Sequence, residues 1–270
     1  MTYSKIINMK KFKILLVNDD GYKAEGINIL YDVLAEDGHD VWILAPESQR
    51  SACSHAISLN RKLKIVKVSE KHYFCDGYPA DCVLFADKGA IPEMGKADMV
   101  ISGINCGFNI STDLVYSATA GGASEGAVRG YPSIAVSCNN TNGVSYPYDD
   151  SAQFVKKYLS DFYSLCLPNS YININVPENS NLKWGVATVG NIEYYDNLVR
   201  HERDEENGEE FSIRGEAAPQ LVSSNFESSD FDLVNIKSMI AVSMIKVLPA
   251  INNNGNYNLS ELAGRDIKKI

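Results

Sequence analysis

Along the first half of this chain, short apolar runs alternate with stretches whose apolar residues recur at helical spacing. Lys13–Val17 is an apolar run of strand length, and Val41–Ala45 is another. Between them Ile27, Leu30, Tyr31 and Leu34 fall at i, i+3, i+4 and i+7, one face of a helix, and Gly38 supplies a stop. A strand–helix–strand unit favours a parallel sheet with right-handed crossovers. Leu63–Val68 and Tyr73–Cys75 predict short strands, and Ala80–Asp87 a helix. Asp98–Ser102 and Ser133–Ser137 predict two more strands, separated by a helix of small residues around Thr119–Gly130. Ser151–Leu165 predicts a helix and Tyr171–Val176 a strand. The rhythm breaks near Asn191. Residues 193–232 are rich in Glu, Asp, Asn and Ser without periodicity, which predicts a hairpin or arm outside the core. Met239–Val247 returns to strand character, Asn252–Gly255 is a turn, and the tail from Ser260 predicts a short helix. The class is α/β.

At 270 residues the chain fits one large α/β domain, or one with a smaller appendage. Its net charge of −9 argues against binding to duplex nucleic acid, which needs Lys and Arg to neutralise phosphates. An anionic small molecule is still compatible, provided a metal and backbone amides supply local positive potential. The six cysteines are scattered with no C-x-x-C pair, the usage of reduced thiols in a cytoplasmic protein. No apolar run approaches the ~20 residues of a membrane span, and the opening residues are too polar for a signal peptide. Met9, before Lys10 and Lys11, offers an alternative start to Met1.

The first predicted strand ends in Asn18-Asp19-Asp20-Gly21. In an open α/β sheet, that puts two carboxylates in the crevice at the carboxyl end of a strand, where ligands bind. Read alone, the pair fits a helix cap and a solvated turn as well as a site for a hard divalent cation. The second strand runs into Ala45-Pro46-Glu47-Ser48-Gln49-Arg50-Ser51 at the same sheet edge. There the Ser51 hydroxyl offers a ligand for a metal or a phosphate oxygen, and Arg50 a fork for an anion. The third constellation, Ser102-Gly103-Ile104-Asn105-Cys106-Gly107-Phe108-Asn109, has glycines that admit a close ligand and a neutral oxygen on Asn105. Tyr116-Ser117-Ala118-Thr119 then places hydroxyls at the start of a small-residue helix, a favourable place for an anion. Those small residues equally suit a helix packed tightly against a neighbour. His39, His55, His72 and His201 stand apart, and of these only His55 lies near a site residue, Ser51. Three loops thus direct Asp19, Asp20, Ser51 and Asn105 toward one crevice. This oxygen-only set suits Mg²⁺ or Mn²⁺ better than zinc.

The order and spacing of these four motifs closely resemble the SurE family of metal-dependent nucleotidases, with weaker similarity through Asn173–Pro177 and Ser229-Asp230. The resemblance implies a three-layer, Rossmann-like, mostly parallel sheet over residues 1–190. It also implies a C-terminal extended arm over 191–270 that swaps between subunits, giving a homodimer or homotetramer. The implied metal ligands are Asp19, Asp20, Ser51 and Asn105, holding one divalent ion (Mg²⁺ or Mn²⁺, with Co²⁺ a third candidate). The implied phosphate contacts are Asn105, Gly107, Ser117, Ala118 and Thr119. Departures are Ala118 where the family has Gly, Phe108 where it has Pro, Lys23 near the place of a substrate-side His, and an altered strand over Lys237–Ser243.

The expected activity is hydrolysis of nucleoside 5′- and 3′-monophosphates by metal-activated water, with Asp19 and Asp20 as the catalytic pair and exopolyphosphatase as a side activity. An aspartyl-phosphate phosphatase would need Asp-x-Asp, and the residue two before Asp20 is Asn18. The rival from another class is a nucleotide or phosphate sensor without turnover. Against it, an anion sensor gains nothing from paired carboxylates unless a metal is present.

Overall fold

The structure is a computed structural model that describes residues 10–139, 145–204, 208–218 and 228–248. The turn at Asn252–Gly255, the tail helix from Ser260 and the start at Met9 lie outside these residues. In chain order the elements are β1 (Lys13–Val17), α1 (Glu25–Glu36), β2 (Asp40–Pro46), β3 (Ile65–Lys67), β4 (His72–Cys75), α2 (Pro79–Asp87), β5 (Met99–Cys106), α3 (Ala118–Val128), β6 (Ser133–Asn139), α4 (Tyr148–Leu165), β7 (Ser170–Pro177), β8 (Trp184–Val186), β9 (Glu193–Asp204), β10 (Gly208–Ala218) and β11 (Ile240–Lys246).

Nine strands form one sheet in the order β3-β4-β2-β1-β5-β6-β7-β11-β8. The run from β4 to β7 is parallel, while β3 and β11 run antiparallel to their neighbours β4 and β7. Buried apolar residues cover both faces, which is why β1 reads as an unbroken apolar run rather than an alternation. Ile14 and Leu16 face a core shared with Ile27, Leu30 and Leu34 of α1 and Phe154, Val155 and Leu159 of α4. Leu15 and Val17 face the other side, with Cys82, Val83 and Ala86 of α2. The α/β three-layer architecture is therefore present, with α1 and α4 over one face and α2 and α3 over the other.

Two elements differ from the sequence pattern. β5 continues through Gly103 to Cys106, with a register shift against β6 between Ser102 and Asn105 and a cis Gly103–Ile104 peptide. Glycine and polar residues hide that extension from an apolar count. β8 has only three residues, and its pairing is with β11, which is distant in sequence. The 193–232 segment contains a separate two-stranded ribbon of β9 and β10, while β11 returns to the main sheet.

β1 sits between β2 and β5, so the connections leave it in opposite directions on the two sides. That reversal is the topological switch point, and it opens a crevice at the carboxyl ends of β1 and β5.

Candidate active site

Asp19 and Asp20 follow directly from β1 at this crevice. Asn18, fully buried, closes a small ring beneath them: its amide donates to the Gly21 carbonyl at 2.9 Å and its oxygen accepts the Gly21 N–H at 3.2 Å. Gly21 has φ +101°, a left-handed conformation that a side chain would strain. The pair is thus held by local hydrogen bonds as well as by long-range contacts.

Three other loops then close on it. The Thr119 hydroxyl, at the start of α3, donates to Asp19 Oδ1 at 2.5 Å. The Cys106 N–H, at the end of β5, donates to Asp20 Oδ2 at 3.2 Å. The Arg50 N–H donates to the Asp19 carbonyl at 2.7 Å, which seats the following residue, Ser51, beside the pair. Ser51 itself is exposed, and its hydroxyl accepts from Gln49 Nε2 at 2.9 Å. Asn105 turns its amide nitrogen to the Gly107 carbonyl at 2.8 Å, leaving its Oδ1 available as a neutral ligand. Ser117 Oγ accepts the Ala120 N–H at 3.0 Å as the N-cap of α3, and Ala118 is buried as the first helical residue.

The structure therefore joins Asp19, Asp20 and Thr119 through the hydrogen bonds of this crevice. It brings Asn105, Gly107 and Ser51 to the same edge, and turns the Ser117 side chain into its own helix. Replacing Ser117 by Ala removes that cap, so the expected result in urea unfolding is a loss of about 1 kcal/mol. Arg50 does not reach out as a fork. One terminal nitrogen donates to the Asp76 carbonyl at 3.3 Å, and its buried Nε has no partner. His39 and His72 lie elsewhere on the sheet, and His201 is on the β9–β10 ribbon.

His55 has a different role from a ligand. Its Nε2 lies 2.8 Å from Glu125 Oε2, and Glu125 Oε1 accepts Arg129 Nε at 2.6 Å. Burial raises the Glu125 carboxyl, but the bonds from His55 and Arg129 outweigh it and hold it below its ordinary value. Glu125 lies nearly two turns along α3 from Thr119, so the pair anchors the Ser51 loop rather than facing the crevice. The same loop is pinned by Ser54, whose N–H donates to the Tyr116 carbonyl at 2.9 Å and whose hydroxyl donates to the Val115 carbonyl at 2.8 Å.

The electrostatics of the pair point outward. Asp19 is 5% exposed, and among the described residues neither carboxylate has an ion-pair partner. Burial pushes the Asp19 carboxyl up from 3.8 to about 6; the Thr119 hydrogen bond opposes this and the charge on Asp20 adds to it. Burial also raises Asp20, partly offset by the Cys106 N–H. Two desolvated carboxylates with no cation make a site short of positive charge. Among the described residues no three His, Cys, Asp or Glu side chains cluster to form a metal site unaided. A cation here would therefore draw on neutral oxygens, and Ser51 and Asn105 are the ones at hand. The residues present fit a hard divalent ion.

The family model for survival protein SurE matches residues 14–196. The chain belongs to the SurE family. Its similarity to the 5′-nucleotidase SurE of Desulfitobacterium hafniense is 41% identity over 213 residues, 77% of this chain and 82% of the relative. The 5′-nucleotidase SurE of Acinetobacter baylyi is 33% identical over 256 residues, 92% of this chain and 96% of the relative. Among solved structures, the SurE protein from Aquifex aeolicus superposes with a TM-score of 0.73 at 28% identity, covering 93% of this chain and 97% of that one.

Within this SurE fold the departures noted in the sequence have physical surroundings. Phe108 packs against the apolar cluster of Ile110, Ile192 and Leu233. Lys23 lies over the Tyr22 ring at 5.4 Å. The altered strand is β11, whose Ile240, Ala241 and Val242 are buried.

Sequence reasoning missed Asn18, the Cys106 N–H and Glu125. Only Asn18 had a local signal, as an Asn two residues before a carboxylate and three before a glycine.

Proposed function

We propose that this chain is a 5′-nucleotidase, a phosphomonoesterase that hydrolyses nucleoside 5′-monophosphates to nucleoside and orthophosphate. Nucleoside 3′-monophosphates and polyphosphate chain ends are secondary substrates in this proposal. The observation that carries it is the pair of buried Asp19 and half-buried Asp20 at the switch point, with no ion-pair partner among the described residues and beside the N-terminus of α3. Membership of the SurE family and the identity to relatives named 5′-nucleotidase support the substrate class.

One divalent cation, Mg²⁺ or Mn²⁺ with Co²⁺ as a third candidate, would be held by Asp19, Asp20, Ser51 and Asn105. When bound it supplies positive charge and Lewis acidity toward a phosphoryl oxygen. The N–H groups opening α3, with Gly107, Ser117, Ala118 and Thr119, surround the phosphate, where positioning and charge stabilisation supply most of the catalysis. In this proposal Asp20, the more exposed carboxylate, orients the attacking water and takes its proton. The water oxygen bonds to phosphorus, the bond to the nucleoside oxygen breaks, and that oxygen leaves with the proton that Asp20 took from the water.

Residues 1–190 carry the chemistry in this proposal, and 191–270 the assembly, even though β11 closes the core sheet. Leu198 is 68% exposed and Ile213 71% exposed on the β9–β10 ribbon, apolar surface that suits a swapped arm in a homodimer or homotetramer. No described helix is long and apolar enough to cross a membrane. All six cysteines are free, which fits a cytoplasmic location.

A phosphate-release screen tests the activity. Nucleoside 5′- and 3′-monophosphates, sugar phosphates and polyphosphate are each offered with Mg²⁺, Mn²⁺ and Co²⁺. The fastest release is expected from nucleoside 5′-monophosphates. No release from any substrate with any metal would refute the proposal in favour of binding without turnover.

A further inference from the structure

A nucleotide has a second pole, the nucleoside, and none of the residues assigned above faces it. The phosphate side of the crevice lies on the layer of α2 and α3, where Thr119 meets Asp19. Across the sheet edge, on the layer of α1 and α4, stands Cys106. Its N–H holds Asp20, and the side chains of Tyr146 and Tyr148 lie near its thiol. The two tyrosine rings are stacked, with centroids 5.5 Å apart and planes inclined by 25°. Tyr148 is buried in the core shared by α1 and α4, and Tyr146 is half-buried above it. Tyr146 is therefore packed against the core and backed on one face by Tyr148, beside the carboxylate pair. An aromatic surface that is already ordered loses little freedom when a ligand lands on it.

The other aromatics near the pair are less suited. The Tyr22 ring is already engaged by Phe74, with centroids 5.1 Å apart, and by Lys23. Tyr116 is exposed and sits immediately before Ser117, at the phosphate pole itself.

We propose that Tyr146, propped by Tyr148, is the platform on which the substrate's base stacks, with the phosphate lying toward α3. This rests on the nucleotidase proposal above and makes Tyr146 a specificity-determining residue. It implies a preference for phosphomonoesters that carry an aromatic base over those that lack one.

The test is steady-state kinetics of the full chain with Mg²⁺ or Mn²⁺, using adenosine 5′-monophosphate, and ribose 5-phosphate as the base-free substrate or competitive inhibitor. Tyr146→Ala is expected to raise KM for the nucleotide roughly tenfold, within the range that losing one base–aromatic stack gives, with kcat within about twofold. Its effect on ribose 5-phosphate is expected to be within about twofold. Tyr146→Phe, which keeps the ring and loses only the hydroxyl, is expected to retain most of the nucleotide affinity. An unchanged nucleotide KM in Tyr146→Ala, or equal losses on both substrates, would overturn the assignment. So would a KM rise from Tyr116→Ala or Tyr22→Ala with Tyr146→Ala silent. A wild-type chain that releases no phosphate from the nucleotide would overturn the nucleotidase proposal itself, and the platform with it.

Discussion

Asp19→Asn is expected to lower nucleotide hydrolysis by about 10³-fold or more while making the metal-free protein more stable. The rate loss follows from the charge at stake: removing one carboxylate from a cation site forfeits several kcal/mol of transition-state stabilisation. The stability gain follows from the Asp19 carboxyl, raised by burial from 3.8 to about 6. A carboxyl raised in the folded state binds more protons there than in the unfolded chain between those two values. Stability therefore falls as pH rises from about 4 to about 6 and stays lowered above that. The difference of about 2 units corresponds to roughly 3 kcal/mol at neutral pH. Asparagine keeps the shape and the acceptor for Thr119 without the charge. Thermal melts in chelator at pH 7 should show Tm up by several degrees for Asp19→Asn, and the gain should shrink toward pH 4. Added divalent cation should raise Tm of the wild type more than that of the variant. A destabilised variant, or a gain independent of pH, would contradict this account of the pair.

Gly121→Ala is the second large effect, and it comes from packing rather than charge. A Cβ at Gly121 would sit 2.3 Å from the Ser54 carbonyl oxygen and 3.1 Å from the His55 Cα. Neither can yield cheaply, because Ser54 is tied to Tyr116 and Val115, and His55 to Glu125. Alanine's better helix propensity, about 1 kcal/mol, offsets only part of the overpacking. The net expectation is a loss of about 1–3 kcal/mol in urea unfolding. The larger consequence is functional. Pushing α3 from the loop that bears Ser51 separates Thr119 from Ser51 across the crevice, and displacements near 1 Å are enough for about 10²-fold in rate. Wild-type kcat/KM in this variant would show that the Ser51 loop has no part in the site.

The sequence carried whatever is decided within a few residues. The apolar run of β1 and the helical spacing of Ile27, Leu30 and Leu34 predict their elements because strand and helix periods are local. The Asp19–Asp20 turn is legible for the same reason: strand, polar pair and glycine lie in one stretch. The contacts that make it a site are long-range. Thr119 and Asp19 are separated by 100 residues, and Cys106 and Asp20 by 86. No local pattern says that Thr119 bonds Asp19, or that His55 turns to Glu125. The small residues of α3 were legible only as two alternatives, an anion site at its start and close packing against a neighbour, and the structure shows the packing. Its N-terminus faces the pair, while Gly122 and Gly126 let it lie against Ser102, Val17 and Ser133. β8 was invisible because its three residues, two of them exposed, have no period of their own and depend on β11.

Asp19 and Asp20 are proposed to complete a divalent-cation site that is required for hydrolysis. The direct measurement is Mn²⁺ titration of chelator-stripped protein, following bound metal and phosphate release from adenosine 5′-monophosphate in the same samples. One binding site is predicted, with release rising in proportion to its occupancy, and with both signals lost in Asp19→Asn. Full release in excess chelator, or unaltered Mn²⁺ binding by the variant, would contradict the account.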